Sequence, residues 1–166
     1  MSEVLAARVR NISRLIYGAI ALLVLVGDQA TKAIVESALP QHEVIPVIPG
    51  FFNIIHVQNE GAAFGLFADS PAPWKTALLI VVSAALLATV VGVVWKTRQL
   101  HWEAGVGLSL ILGGALSNLL DRIRTGRVID FLDFYIKNYH WYTFNLADSS
   151  IVAGAGFLIL QVLFSE

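Results

Sequence analysis

The sequence predicts an integral membrane protein, mainly α-helical, with four transmembrane helices and a small extracytoplasmic β-sheet. Three observations carry this. Of 166 residues, 57% are hydrophobic and only 14% charged, and the mean hydropathy is +0.72. A soluble domain averages about 25% charged residues. Four apolar runs reach the roughly 20 residues that a spanning helix needs. Between the first two lies a long connection that mixes β-branched and aromatic residues with Pro-Gly punctuation, the signature of short strands and turns.

The first span is expected over about residues 15–35. Arg8, Arg10 and Arg14 precede its apolar core as in a signal peptide. Asp28 and Lys32 follow that core and no clear A-x-A site appears, so a retained helix is expected. Asp28 and Lys32 stand four apart in the acid-first order that favours pairing along a helix. The β-rich connection covers about residues 40–70 and contains "HEVIPVIPGFFNIIHVQNEGAAFGLF". The second span, about 74–95, has tryptophan at both ends, where amphipathic rings meet the two head-group layers. The third, about 104–120, is rich in small residues ("GVGLSLILGGALSN"), and its Gly113-Gly114 pair reads as close helix packing. The fourth covers about 147–164. No repeat or linker divides the chain, so one membrane domain over residues 1–166 is expected.

Basic residues give a split orientation signal. Arg8, Arg10, Arg14, Lys96 and Arg98 share one side, and residues 37–73 contain no lysine or arginine. Arg122, Arg124, Arg127 and Lys137 nevertheless fall on the same side as that bare connection. The first helix usually dominates, which places both termini in the cytoplasm. The basic cluster outside then needs a partner of its own, such as anionic phospholipid head groups or a buried carboxylate.

Much chemistry is excluded. A net charge of −1 offers no basic face for nucleic acid. The absence of cysteine removes thiol catalysis and disulfides. His42, His56, His101 and His140 lack metal-ligand spacing, and no G-x-S-x-G elbow is present. Ser83, Ser109 and Ser117 read as helix-packing hydroxyls. Acid and amide remain.

They concentrate in "SNLLDRIRTGRVIDFLDF" (117–134) and "FNLADSS" (144–150). Asn145 is placed as the N-cap of the fourth span, with Asp148 at the third helical position. One reading is that these residues only cap the helix and complement its dipole. The other starts from cost: a carboxylate inside a membrane helix costs roughly 2.5–3.5 kcal/mol on the gentlest scale, which marks it as a functional suspect. Asp130, expected on a loop at the same side, can meet Asp148 at one depth. Two adjoining carboxylates share a proton, so one can take a proton from water while the other protonates a carbonyl. That chemistry needs no metal or cofactor.

"GDQATK" (27–32), "NEGAAF" (59–64), "SNLLDR" (117–122), "VIDF" (128–131) and "FNLADS" (144–149) together resemble the signature blocks of the bacterial lipoprotein signal peptidases, the type II signal peptidases. The blocks keep the family's order over nearly the whole chain. The resemblance implies an aspartic endopeptidase of the bacterial inner membrane with its site near the outer face. Its substrate would be a diacylglyceryl-modified prolipoprotein, cut just before the lipidated cysteine, and globomycin-like cyclic peptides would inhibit it. Carried over by motif, Asp130 and Asp148 form the catalytic dyad. Asn59, Asn118, Arg122 and Asn145 match positions lining the site, and Asp28, Gly61 and Asp121 are supporting matches.

Asn118 and Asn145 are expected to donate side-chain N–H bonds to the dyad or the scissile carbonyl, because amides donate without adding charge. Arg122 either holds Asp121 or contacts the surroundings of the lipidated substrate. Asp28 either pairs with Lys32 or serves the site. Phe131, Phe134, Tyr135, Tyr139, Trp141 and Tyr142 read most simply as interfacial anchors, the other reading being that they wall off water or touch acyl chains. Asp133 is placed much like Asp130, but the motif does not fix its position. A presenilin-type G-x-G-D pattern fails, since "LVGD" lacks the first glycine. The alternative class is a small channel or transporter using membrane carboxylates. Such sites usually lie near the midplane, whereas these aspartates gather near one interface.

Overall fold

The computed structural model describes residues 3–61, 74–97 and 101–164, with the side chains of 3–10 left aside. Four helices are long and apolar enough to cross a membrane: α1 (Glu3–Ala38), α2 (Trp74–Lys96), α3 (Trp102–Thr125) and α4 (Leu146–Phe164). Ala62, Ala63 and Phe64 of the "NEGAAF" block, and Arg98 of the basic set, lie outside the described residues.

Two helices outrun their hydrophobic cores. At about 1.5 Å per residue, α1's 36 residues make a rod of roughly 54 Å, well beyond the hydrocarbon thickness. The helix α3 continues through Asp121–Thr125 because nothing in "DRIRT" breaks it. It stops where Gly126, at φ 77°, adopts the left-handed C-cap and returns its N–H to the Arg122 carbonyl at 3.0 Å.

The helix α3 is the hub of the bundle and packs against the other three. The Gly113-Gly114 pair makes this possible. A Cβ on Gly113 would come within 2.5 Å of the Ala21 carbonyl oxygen of α1, and one on Gly114 would run into the Ala147 carbonyl of α4. The two glycines thus bring α1 and α4 against adjacent faces of one helix. The helix α2 packs mainly against α3, with Arg14 of α1 reaching the Trp95 carbonyl at 3.4 Å, and leaves most of its surface outward, as a lipid-facing helix does.

A sheet caps the end of the bundle where α1 and α3 finish and α4 begins. Its strands are β1 (Val44–Ile48), β2 (Phe52–Asn59), β3 (Val128–Ile136) and β4 (Tyr139–His140), antiparallel in that order. The connection over 40–70 therefore supplies only half the sheet. The segment carrying Asp130, expected as loop, is strand β3. Its sequence VIDFLDFYI is β-branched and aromatic throughout, and it finds its partner some 70 residues upstream, with Val57 facing Asp130 and Asn53 facing Asp133. Between Ile54 and Val57 the register shifts, a bulge in β2.

The aromatic anchors need correction. Phe131 is buried, and Phe134 stacks on Phe52 and Phe144 and meets Phe51 edge-on, so both belong to the packing of the sheet. Tyr139, Trp141 and Tyr142 are exposed, as interfacial side chains are.

Candidate active site

The helix α4 begins with a reciprocal cap. The Asn145 side-chain oxygen accepts the Asp148 backbone N–H at 2.9 Å, and Asp148 Oδ2 accepts the Asn145 backbone N–H at 3.3 Å. This is capping-box geometry built from Asn and Asp. Capping and site-building are the same set of bonds, because Asn145 reaches further. Its Nδ2 donates to Asp130 Oδ1 at 2.8 Å, so one residue binds both carboxylates.

Two more asparagines complete the ring. Asn59, at the end of β2, donates to Asp130 Oδ2 at 2.9 Å. Asn118, on α3, donates to Asp148 Oδ1 at 2.8 Å. Each amide has its oxygen end occupied by a donor: Gly61 N–H on Asn59 (2.8 Å), Lys32 Nζ on Asn118 (2.8 Å) and Asp148 N–H on Asn145 (2.9 Å). The oxygen assignments follow from those donors, so all three NH₂ groups point at carboxylates. Asp130 and Asn145 are almost fully enclosed, at 2% and 0% exposure.

Burial pushes the Asp130 carboxyl up to about 7, the largest influence. The Asp148 charge pushes the same way, while the Asn59 and Asn145 amides and the Lys32 charge pull it down. Desolvation wins because amides stabilise the anion without neutralising it.

Beneath the pair lies a polar layer joining α1, α3 and α4. Lys32 Nζ meets Asp28 Oδ2 and Asp121 Oδ2, each at 2.6 Å. The expected Asp28–Lys32 pair forms, and Asp28 does more. It is fully buried, takes the Ser117 hydroxyl at 2.7 Å on one oxygen and the Ala147 backbone N–H at 2.8 Å on the other. Gln29 Nε2 donates to Ser117 Oγ at 2.9 Å and to Asp121 Oδ1 at 2.6 Å. Asp121 is thus held by Lys32 and Gln29, and Arg122 instead donates to the Gly61 carbonyl at 3.2 Å, with Asp148 and Asp130 near enough for their charges to act on it.

Asp133 is not a third member. Three residues from Asp130 on a strand, it faces away from it. It has partners of its own: Asn53 Nδ2 at 2.8 Å and His140 Nδ1 at 2.9 Å, with His140 stacked on Tyr135.

The structure therefore brings together Asp130, Asp148, Asn59, Asn118 and Asn145, with Gly61 and Arg122 alongside and Asp28 and Asp121 one layer below. Sequence reasoning missed Lys32, Gln29 and Ser117 as parts of this cluster. Ser117 is not a packing hydroxyl like Ser109, whose Oγ bonds back to the Gly105 carbonyl at 2.6 Å. The available signal was spacing: Asp28/Lys32 and Ser117/Asp121 each stand four apart, so each pair faces one side of its helix.

Fold and site define a multi-pass membrane protein with a buried carboxylate pair at one end of its helix bundle. The family model described as signal peptidase (SPase) II matches residues 20–164. The lipoprotein signal peptidase of Solibacter usitatus is 44% identical over 147 residues, covering 89% of each chain. That of Xylella fastidiosa is 37% identical over 152 residues, covering 92% of this chain and 90% of its own. Two solved structures described as bacterial membrane enzymes superpose with a TM-score of 0.79 each, at 34% and 33% identity, covering 92% and 94% of this chain and 88% and 95% of theirs. The chain belongs to the signal peptidase II family, and with it to the membrane-spanning proteases.

Proposed function

We propose that this protein is an aspartic endopeptidase that removes the signal peptide from diacylglyceryl-modified prolipoproteins, cutting before the lipidated cysteine, with Asp130 and Asp148 as its catalytic pair. The observation that carries the reading is the convergence of both carboxylates on Asn145. The pair holds one proton, which we assign to Asp130, the carboxyl enclosed to 2% exposure, while Asp148 accepts a backbone N–H at the helix N-terminus, a place that favours the anion.

In the reaction Asp148 takes a proton from water as the water oxygen attacks the scissile carbonyl carbon, and Asp130 gives its proton to the carbonyl oxygen. The C–N bond of the resulting gem-diol then breaks. Asp148 passes its proton to the leaving nitrogen, and a diol hydroxyl returns one to Asp130. One water is consumed and the pair is restored. Asn59, Asn118 and Asn145 hold the two carboxylates in place throughout, and Arg122 holds the Asn59–Gly61 turn through the Gly61 carbonyl. A preset frame of this kind avoids reorganisation during the reaction.

Family membership together with the four spans supports a multi-pass place in the bacterial cytoplasmic membrane. The basic amino-terminal segment supports cytoplasmic termini, with the sheet and the site at the outer face, where phospholipid head groups and globomycin-like peptides would reach it. A reporter fused to the carboxyl terminus reads that topology directly.

The test is cleavage by purified protein in detergent of a prolipoprotein with and without its diacylglyceryl group. Cleavage of the lipidated form alone, lost in Asp130→Asn and in Asp148→Asn, supports the proposal. Cleavage that survives either substitution overturns the catalytic pair, and an inert protein leaves the channel or transporter class.

A further inference from the structure

We propose that Lys32 is a positioning residue for the reaction: its ammonium fixes which end of the Asn118 amide faces Asp148. The inference rests on the aspartic reading above. An ammonium has three N–H donors and no acceptor. Those of Lys32 meet three oxygens, Asp28 Oδ2 and Asp121 Oδ2 at 2.6 Å and Asn118 Oδ1 at 2.8 Å. Every donor is used, and Lys32 is 3% exposed, so water does not compete.

The consequence falls on Asn118. With its oxygen end held by a pure donor, the amide can present only its NH₂ to Asp148, at 2.8 Å. Without Lys32 the remaining contact on that oxygen is the longer one from Asn145 Nδ2, at 3.4 Å. The amide is then free to turn its oxygen toward Asp148. A carboxylate is repelled by that oxygen, while a carboxylic acid donates to it. A flipped Asn118 would therefore draw the shared proton from Asp130 to Asp148 and reverse the roles of the pair.

Charge acts separately, on how readily the pair as a whole keeps its proton. Around the site stand the acids Asp28 on α1, Asp121 on α3, Asp130 on β3 and Asp148 on α4, against the cations Lys32 and Arg122. Among the described residues, Lys32 is the cation in direct ion-pair contact with members of this set, whereas Arg122 bonds a carbonyl. The Lys32 charge favours the ionised form of the pair, so removing it raises the pH at which the pair gives up its remaining proton, whichever carboxyl holds it.

The experiment compares Lys32→Met with Gln29→Leu in the detergent cleavage assay, measuring kcat, KM, the pH profile and thermal stability. Gln29 belongs to the same polar layer and bonds Asp121 and Ser117, but it does not touch Asn118. Lys32→Met is expected to lower kcat by roughly ten- to a hundredfold with KM unchanged, and to move the alkaline limb of the profile to higher pH. Gln29→Leu is expected to lose stability while keeping the wild-type profile. If Lys32→Met does not fold, the charge-balanced double variant Lys32→Met/Asp121→Asn takes its place, with the same kcat loss expected. Wild-type kcat and a superimposable pH profile in a folded Lys32 variant, or an equal kcat loss in Gln29→Leu, overturn the proposal. Inactive Asp130→Asn and Asp148→Asn beside such a result would leave the catalytic pair standing and sink only the role of Lys32.

Discussion

The Asp28 carboxylate of α1 accepts the backbone N–H of Ala147 at 2.8 Å, across 119 residues of chain. It supplies an acceptor to the first turn of α4, where a helix has unpaired N–H groups and a partial positive charge. Together with Lys32 and Ser117 it fastens the start of α4 to the other two inner helices.

Asp28→Ala should therefore act on stability before chemistry. It strands a buried ammonium and an N–H, a loss on the order of 3–5 kcal/mol for a broken buried pair. The expected result is a lower melting temperature and yield in detergent, with the folded fraction still cleaving. Wild-type stability with abolished cleavage would contradict this.

Asp130→Asn and Asp148→Asn each remove one half of the proposed acid–base pair. Each should cut the rate by at least about a thousandfold, while circular dichroism and melting show a folded protein. Asp133→Asn should keep most activity, because its Asn53 and His140 contacts form a separate cluster.

The pH–rate profile should be bell-shaped and report the pair, not either carboxyl alone, with the alkaline limb near the value of about 7 to which Asp130 is raised. A flat profile across acidic and neutral pH would remove the support for a shared proton.

Stability should follow the same group with a defined sign. The Asp130 carboxyl is raised from 3.8 when unfolded to about 7 when folded, so the folded state binds the proton more tightly. Its contribution is fully present below the unfolded value and is lost as pH rises toward 7. Melting temperature should decline over that window in the wild type and less steeply in Asp130→Asn.

Gly114→Ala tests the helix approach. The added methyl meets the Ala147 carbonyl, so α3 and α4 must separate at a cost of about 1–3 kcal/mol. Because Asn118 and Asp148 lie on those two helices, activity should fall along with stability.

The four spans were legible because hydropathy over 20 residues is a local property, and the first half of the sheet was legible from "VIPVIPGFF". Strand β3 was not. A run with two acids among aromatics reads equally as interfacial loop, and its partner β2 lies on the far side of two helices in sequence. Asp130 and Asp148 could be named from motif blocks, and Asn145 from its capping position. That Asn59 meets Asp130, or that Lys32 meets Asn118, depends on contacts 71 and 86 residues apart. The first is set by the pairing of β2 with β3, the second by how close Gly113 lets α1 and α3 come. No local pattern in the sequence encodes that closeness.

If Asp148 is catalytic as proposed, the reciprocal cap of Asn145 and Asp148 ties the timing of activity to assembly. An Asp148 that has not yet settled into the first turn of α4 has neither its backbone tether nor its place beside Asp130. A chain caught midway through insertion thus carries no working protease to misdirect. On the proposed mechanism, the bonds that finish the last helix are the ones that complete the catalytic pair.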